Sequence, residues 1–272
     1  MTGRVLIIAG SDSGGGAGIQ ADIKAVTALG GYGMTAIAAL TAQNTLGVHG
    51  IHPVPVAFVR QQMAVVLDDI GADALKTGML ATAEVIDAVA EEITNRAAGI
   101  PLVVDPVMVA KGGHRLLEES ATRALIGRLL PLATLLTPNL PEAEVLVGHA
   151  IPDAEAMEAA GQELLALGPQ AVLMKGGHLD EDGTEVLDIL VTAEGAIRFT
   201  DPRIRSTSTH GTGCTLASAI ACGLAQGRPV ADAVARARAY VRRAIETAPG
   251  LGSGHGPLNH GHTVFPFEAR SQ

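Results

Sequence analysis

The sequence predicts an α/β fold around a mainly parallel sheet. Short apolar runs alternate with amphipathic stretches from one end to the other, the pattern of strands and crossover helices. Polar and glycine-rich turns separate the runs. The alternation breaks once, where two strand-like runs follow each other directly. The 272 residues suffice for one large α/β core. No repeat, low-complexity tract or linker divides them, so residues 1–272 read as a single domain.

Val5 to Ala9 reads as a first buried strand, and Ile19, Ile23 and Val26 recur at helical spacing until Gly30 and Gly31 close the helix. Val59, Met63, Val66 and Ile70 mark a second helix, Ala72 to Lys76 a strand, and Ile86, Val89 and Ile93 a third helix. Leu102 to Asp105 and Thr134 to Thr137 read as strands. Asp153 is placed to cap a helix carrying Met157, Leu164 and Leu167, which ends at Gly168-Pro169 before the strand Ala171 to Met174. Val186 to Val191 and Ala196 to Thr200 are the consecutive strands. A turn at Glu194-Gly195 joins them into an antiparallel pair at a sheet edge. One helix starts near Gly213, and another from Val230 places Val234, Ala237, Val241 and Ile245 on one face. The tail from Gly250 to His262 reads as a loop running back over the core.

Composition excludes several classes of function. Hydrophobic residues make up 47% and charged ones 17%, with no apolar stretch of membrane-spanning length and no secretion signal. A soluble cytoplasmic protein with no membrane partner is expected. The net charge of -9 repels phosphate backbones, and 2% aromatic residues without Trp leave little for stacking bases, so no nucleic acid is expected as a partner. Cys214 and Cys222 lie eight residues apart on one predicted helix, roughly 12 Å along its axis and too far to bridge, so free thiols are expected. His255, His260 and His262 lack any metal-ligand spacing and read as loop residues.

Five segments carry chemistry. Gly10-Ser-Asp-Ser-Gly-Gly-Gly-Ala-Gly18 follows a strand and opens a helix, where phosphate-binding loops occur. It fails the dinucleotide fingerprint at Ile19 and the P-loop pattern at Gly16. Five glycines in nine residues still read as a loop that a ligand approaches closely. Thr209-His-Gly-Thr-Gly-Cys214 lets consecutive backbone N–H groups turn toward one point at a helix N-terminus, which suits a phosphoryl group and would lower a thiol's pKa toward neutrality. A glycine-rich helix entry with a structural cysteine fits the same residues. Asn139-Leu-Pro-Glu142 is a capping arrangement, and its carboxylate at a strand end could equally hold magnesium through water. Asp105 and Lys175 each end a strand, where ligands bind to open parallel sheets.

Together the motifs resemble the ribokinase-like superfamily and, within it, the hydroxymethylpyrimidine and phosphomethylpyrimidine kinases. The resemblance runs nearly end to end through Ala9–Asp22, Leu40–Thr45, Gly78–Leu80, Asp105–Lys111, Thr137–Glu142, Lys175–His178 and Thr209–Cys214. It implies a three-layer α/β/α sandwich, a homodimer and a phosphotransferase that uses ATP and Mg2+. The reaction implied is phosphorylation of 4-amino-5-hydroxymethyl-2-methylpyrimidine and then of its monophosphate, for thiamine biosynthesis. Gln43 matches the family's pyrimidine-reading glutamine, whose amide both donates and accepts. Gly10, Asp12, Met79 and Val107 fall in the implied substrate pocket. Asp105, Asn139 and Glu142 match the magnesium region, and Lys175 and Thr209 the nucleotide side. Gly211 and Gly213 would form the anion hole, and Cys214, standing where related sugar kinases carry an aspartate base, would take the hydroxymethyl proton. Lys111-Gly-Gly-His114 and Thr77 depart from the usual pattern. The alternatives are a pyridoxine or pyridoxal kinase of the same superfamily and, more remotely, a non-catalytic pyrimidine sensor, which would have lost Cys214 or Glu142.

Overall fold

A computed structural model describes residues 2–108, 119–179 and 182–264. The Lys111–His114 segment therefore lies outside the described residues. In chain order the elements are β1 (Arg4–Asp12), α1 (Gly18–Ala28), β2 (Tyr32–Asn44), β3 (Gly47–Pro53), α2 (Val56–Asp69), β4 (Ala74–Thr77), α3 (Ala83–Arg96) and β5 (Leu102–Val104). There follow α4 (Glu119–Ala124), β6 (Leu135–Leu136), α5 (Leu140–Val147), α6 (Ala154–Leu165), β7 (Ala171–Lys175), β8 (Glu185–Thr192), β9 (Gly195–Pro202), α7 (Thr212–Ala225) and α8 (Val230–Glu246).

The strands form one sheet of order β3-β2-β1-β4-β5-β6-β7-β8-β9. Pairing is parallel from β2 to β7 and antiparallel at both edges, β3 on one side and β8 with β9 on the other. The pleat sorts β1 between two cores. Leu6 and Ile8 face a cluster with Val59 and Met63 of α2, Val89 of α3 and Met157 of α6. Val5 and Ile7 face the other, with Val26 of α1, Ile220 of α7 and Val234 of α8. Helices thus cover both faces, as an open parallel sheet requires. This is the three-layer α/β/α sandwich. No helix among the described residues is long and apolar enough to cross a membrane.

Two differences from the sequence reading have physical causes. The β2–β3 hairpin was not predicted: β2 is rich in alanine and threonine, and its buried Met34, Ala36 and Ala38 alternate with only moderate hydrophobic contrast. The strand expected at Thr134 to Thr137 contracts to Leu135–Leu136, because its pairing covers only Val103 and Val104 of β5 and Val172 of β7, although the Thr134 and Thr137 N–H groups still donate to the Leu102 and Val104 carbonyls at 2.9 Å. The β8–β9 pair, the Asp153 cap, whose Oδ1 accepts from Ala156 N–H at 2.8 Å, and the free cysteines agree with expectation. The tail also runs back over the core, where Thr45 O accepts from His255 N–H at 2.9 Å and Ala244 O from Asn259 N–H at 2.9 Å.

Candidate active site

The parallel strands all end on one side of the sheet, and the loops leaving them enclose a cleft of about 700 Å³. Gly10, Asp12, Gln43, Met79, Asp105, Val107, Asn139, Glu142, Lys175, Thr209, Gly211, Gly213 and Cys214 all line it. Every residue given a site role in the sequence analysis therefore lines one cavity. They come from β1, β2, the segments after β4, β5 and β6, the end of β7 and the start of α7.

On the β1 side the Asp12 carboxylate organises the glycine-rich loop. Its Oδ1 accepts from Gly14 N–H at 2.8 Å, and its Oδ2 from Gly16 N–H at 3.0 Å and Ala17 N–H at 2.8 Å. The Nε2 atom of His210 lies 2.9 Å from the same Oδ2. Gln43, near the end of β2, has its side-chain amide 3.2 Å from His210 Nε2 and 3.1 Å from Thr41 Oγ1. The Met79 side chain lies where a Cβ on residue 10 would project, so only glycine lets the two approach.

At the centre, Lys175 Nζ is 3.2 Å from Asp105 Oδ1 and 3.9 Å from Glu142 Oε2. Although burial acts to lower the Lys175 ammonium, the two carboxylates outweigh it and raise its pKa. The other Asp105 oxygen, Oδ2, is buried and has no hydrogen-bond partner among the described residues. Asn139 and Glu142 form a reciprocal capping box: Glu142 N–H donates to Asn139 Oδ1 and Asn139 N–H to Glu142 Oε2, both at 2.9 Å. Burial pushes the Glu142 carboxyl up to about 7, with the Asp105 charge adding to the rise and Lys175 opposing it. Asn139 thus acts through its cap, while Asp105 and Glu142 present the carboxylates.

The α7 side brings a helix N-terminus to the cleft. Gly211 is the N-cap at φ 80°, and a Cβ there would run into the Gly16 carbonyl, so this left-handed turn needs glycine. The first-turn N–H groups of Gly213 and Cys214 have no intrahelical acceptor. A Cβ on Gly213 would stand 3.2 Å from Lys175 Nζ, which puts the turn directly against the charged cluster. The expectation for Cys214 needs correction. Burial pushes its thiol up to about 12, with the Asp22 and Asp105 charges adding to the rise and the Lys76 charge and a hydrogen bond from the Gly18 backbone opposing it. In the resting protein Cys214 is a protonated thiol.

Sequence reasoning passed over the pair beneath this site. Lys76 on β4 and Asp22 on α1 are both fully buried, and Ser218 of α7 donates to Asp22 Oδ1 at 2.7 Å. The available signal was a lysine inside the apolar run Ala74–Thr77, where a charge must find a partner.

The donor set can be tested against a magnesium ion, which takes one or two carboxylates and keeps several waters. Asp105 Oδ2 and Glu142 fit that demand. No group of three or more His, Cys, Asp or Glu able to hold a metal occurs among the described residues, so phosphate and water oxygens would complete the shell.

Comparison with known proteins yields a sequence family described as phosphomethylpyrimidine kinase, whose model matches residues 12–259. The chain is 55% identical over 258 residues to the thiamine biosynthesis bifunctional protein ThiED of Geobacter sulfurreducens, covering 95% of this chain but 52% of that one. The chain thus spans about half the length of that relative. It is 47% identical over 268 residues to the hydroxymethylpyrimidine/phosphomethylpyrimidine kinase of Bacillus subtilis, covering 98% and 97% of the two chains. Among solved structures, the Staphylococcus aureus pyridoxal kinase in complex with AMP-PCP and pyridoxal superposes with a TM-score of 0.87 at 36% identity, over 96% of this chain and 94% of that one.

Proposed function

The chain belongs to the phosphomethylpyrimidine kinase family, and from this premise we infer that it moves the γ-phosphoryl group of ATP onto hydroxymethylpyrimidine and then onto the resulting monophosphate. The observation that carries this reading is the convergence of Gln43, the Asp105–Lys175–Glu142 cluster and the α7 N-terminus on one cleft. A ring reader, a charge cluster and an anion site are what phosphoryl transfer to a small heterocycle requires.

In the first reaction the hydroxymethyl oxygen attacks the γ-phosphorus, the bond to the β,γ-bridging oxygen breaks, and ADP leaves. The transition state is loose, so the protein mainly positions groups and stabilises charge on the transferred oxygens. Gly211, Gly213 and the Cys214 N–H would surround those oxygens. Lys175 and Thr209 would hold the nucleotide phosphates. Asp105 and Glu142 would hold magnesium, which supplies charge neutralisation between the phosphates when bound. Gly10, Met79 and Val107 would pack around the ring while Gln43 reads its polar edge. Cys214 would take the hydroxymethyl proton, and it can do so only as its thiolate. In the second reaction the acceptor is a phosphate oxygen that is already ionised, and no base is needed.

The exposed Leu40, Leu46 and Ile51 of the β2–β3 edge support a homodimer, and the use of ATP supports work in the cytoplasm. Pyridoxal is the competing acceptor, because a pyridoxal kinase shares this fold so closely. Incubation with MgATP and hydroxymethylpyrimidine, followed by mass spectrometry, tests the reading. The monophosphate and then the diphosphate should accumulate in that order. Absence of either product would overturn it.

A further inference from the structure

The chemistry above leaves His210 unused, although its imidazole is buried and joins two site residues. Its Nε2 lies 2.9 Å from Asp12 Oδ2 and 3.2 Å from Gln43 Nε2. Burial acts to raise the Asp12 carboxyl, but the hydrogen bonds from His210, Ala17 and Gly14 outweigh it and hold it below the usual carboxylate range. An ionised carboxylate only accepts. The imidazole nitrogen facing it must therefore carry a proton, and that nitrogen has no lone pair left for an amide N–H from Gln43.

The other end of the amide poses the same conflict. Gln43 Oε1 lies 3.1 Å from Thr41 Oγ1, a hydroxyl whose one proton can go either to that oxygen or to the Ser11 carbonyl at 2.8 Å, and the shorter bond is the one to Ser11. Thr41 Oγ1 is then an acceptor facing an acceptor, while His210 is a donor facing a donor. A half-turn of the amide about its last side-chain bond resolves both contacts at once. We propose that Asp12, acting through His210, and Thr41 hold the Gln43 amide with Oε1 toward His210 and Nε2 toward Thr41. The amide then offers the ring one N–H and one lone pair in a fixed order.

The inference rests on Gln43 reading the ring, and it adds the residues that set the sense of that reading. A ring edge with an amino group beside an unprotonated nitrogen presents a donor and an acceptor. The deaminated ring, with a carbonyl beside a ring N–H, presents the reverse order. Binding it would require the amide to turn back against both His210 and Thr41. Asp12 and His210 are thus positioning residues for specificity between amino and oxo pyrimidines.

The test compares kcat/KM for 4-amino and 4-oxo hydroxymethylpyrimidines in the wild type, H210F, D12N, Q43L and the H210F/Q43L double variant. The wild type should prefer the amino ring by about 100-fold or more, as expected where a buried polar group would be left unpaired. H210F keeps a ring close to Gly16, against which the imidazole lies, and should reduce that preference at least about tenfold while ATP KM stays within about threefold. Adding H210F to Q43L should change the preference no further, because His210 acts through the amide. Should H210F fail to fold, D12N reads the same point, since it frees His210 from carrying its proton on Nε2. Folded H210F and D12N enzymes that retain the full preference would overturn the positioning role, provided that Q43L abolishes it. If Q43L also retains the preference, Gln43 does not read the ring and the proposal falls with that reading.

Discussion

Lys76 Nζ lies 3.0 Å from Asp22 Oδ2, and neither side chain reaches solvent. The Asp22 carboxylate holds the Lys76 ammonium charged against a large desolvation penalty, raising its pKa. The pair joins β4, α1 and, through Ser218, α7, and the glycine-rich loop leads into α1 while the proposed anion site opens α7. Removing one partner leaves an uncompensated buried charge. Lys76→Met and Asp22→Asn should each cost about 3–5 kcal/mol, read as a lower urea midpoint with unchanged m-value. A loss below about 1 kcal/mol, the scale of an exposed pair, would show that the interior there admits water.

Glu142 has a pKa raised to about 7 by burial. The sign follows from proton binding: between the ordinary carboxyl value near 4.5 and about 7 the folded state holds more protons than the unfolded one. This contribution to stability is complete at low pH and is lost as pH rises through about 7. Glutamine keeps the capping geometry but cannot ionise. Glu142→Gln should therefore flatten the decline in melting temperature of the ligand-free protein between pH 5 and 8, while raising the magnesium concentration for half-maximal rate. A pH profile and a metal requirement both identical to wild type would leave Glu142 as a cap alone.

Much of the site was legible because strand ends and glycine-rich loops announce themselves locally. The segment Gly10–Gly18 and the turn at Gly211 need backbone that only glycine allows, and that demand is written in composition. The state of Cys214 was not legible. A helix N-terminus suggested a low pKa, but Asp22 and Asp105 come from α1 and from the end of β5, and their convergence beneath the thiol exists only in the fold. The same holds for His210, whose partners Asp12 and Gln43 are 198 and 167 residues away in sequence. The β2–β3 hairpin stayed hidden because small side chains fill its buried face. Long-range electrostatics and low-contrast strands are what a single sequence conveys least.

Gly213→Val should stop transfer and spare the fold. Its side chain would displace Lys175 Nζ, 3.2 Å from the position of a Cβ, and a β-branched residue would crowd the first-turn N–H groups proposed to face the phosphoryl oxygens. Circular dichroism should stay native while turnover falls. Wild-type turnover in this variant would remove Gly213 from the phosphate site.

Cys214 starts as a thiol pushed up to about 12. If its thiolate takes the hydroxymethyl proton, the first reaction should quicken about tenfold per pH unit through the neutral range, relative to the second. Comparing the two acceptors cancels ionisations common to both reactions. Cys214→Ala should lose that slope and slow the first reaction by ~10²-fold, with a smaller effect on the second. Cys222→Ala, a buried residue of α7, should cost packing stability and no rate. Parallel pH profiles for the two acceptors in the wild type would reject the thiol as a base.

Acceptor choice is the claim on which the account turns. Coupled ADP release with hydroxymethylpyrimidine, its monophosphate, pyridoxal and ribose, at one MgATP concentration, measures it directly. The account predicts that kcat/KM for both pyrimidines exceeds that for pyridoxal, with ribose inert. A higher kcat/KM for pyridoxal than for either pyrimidine would contradict it.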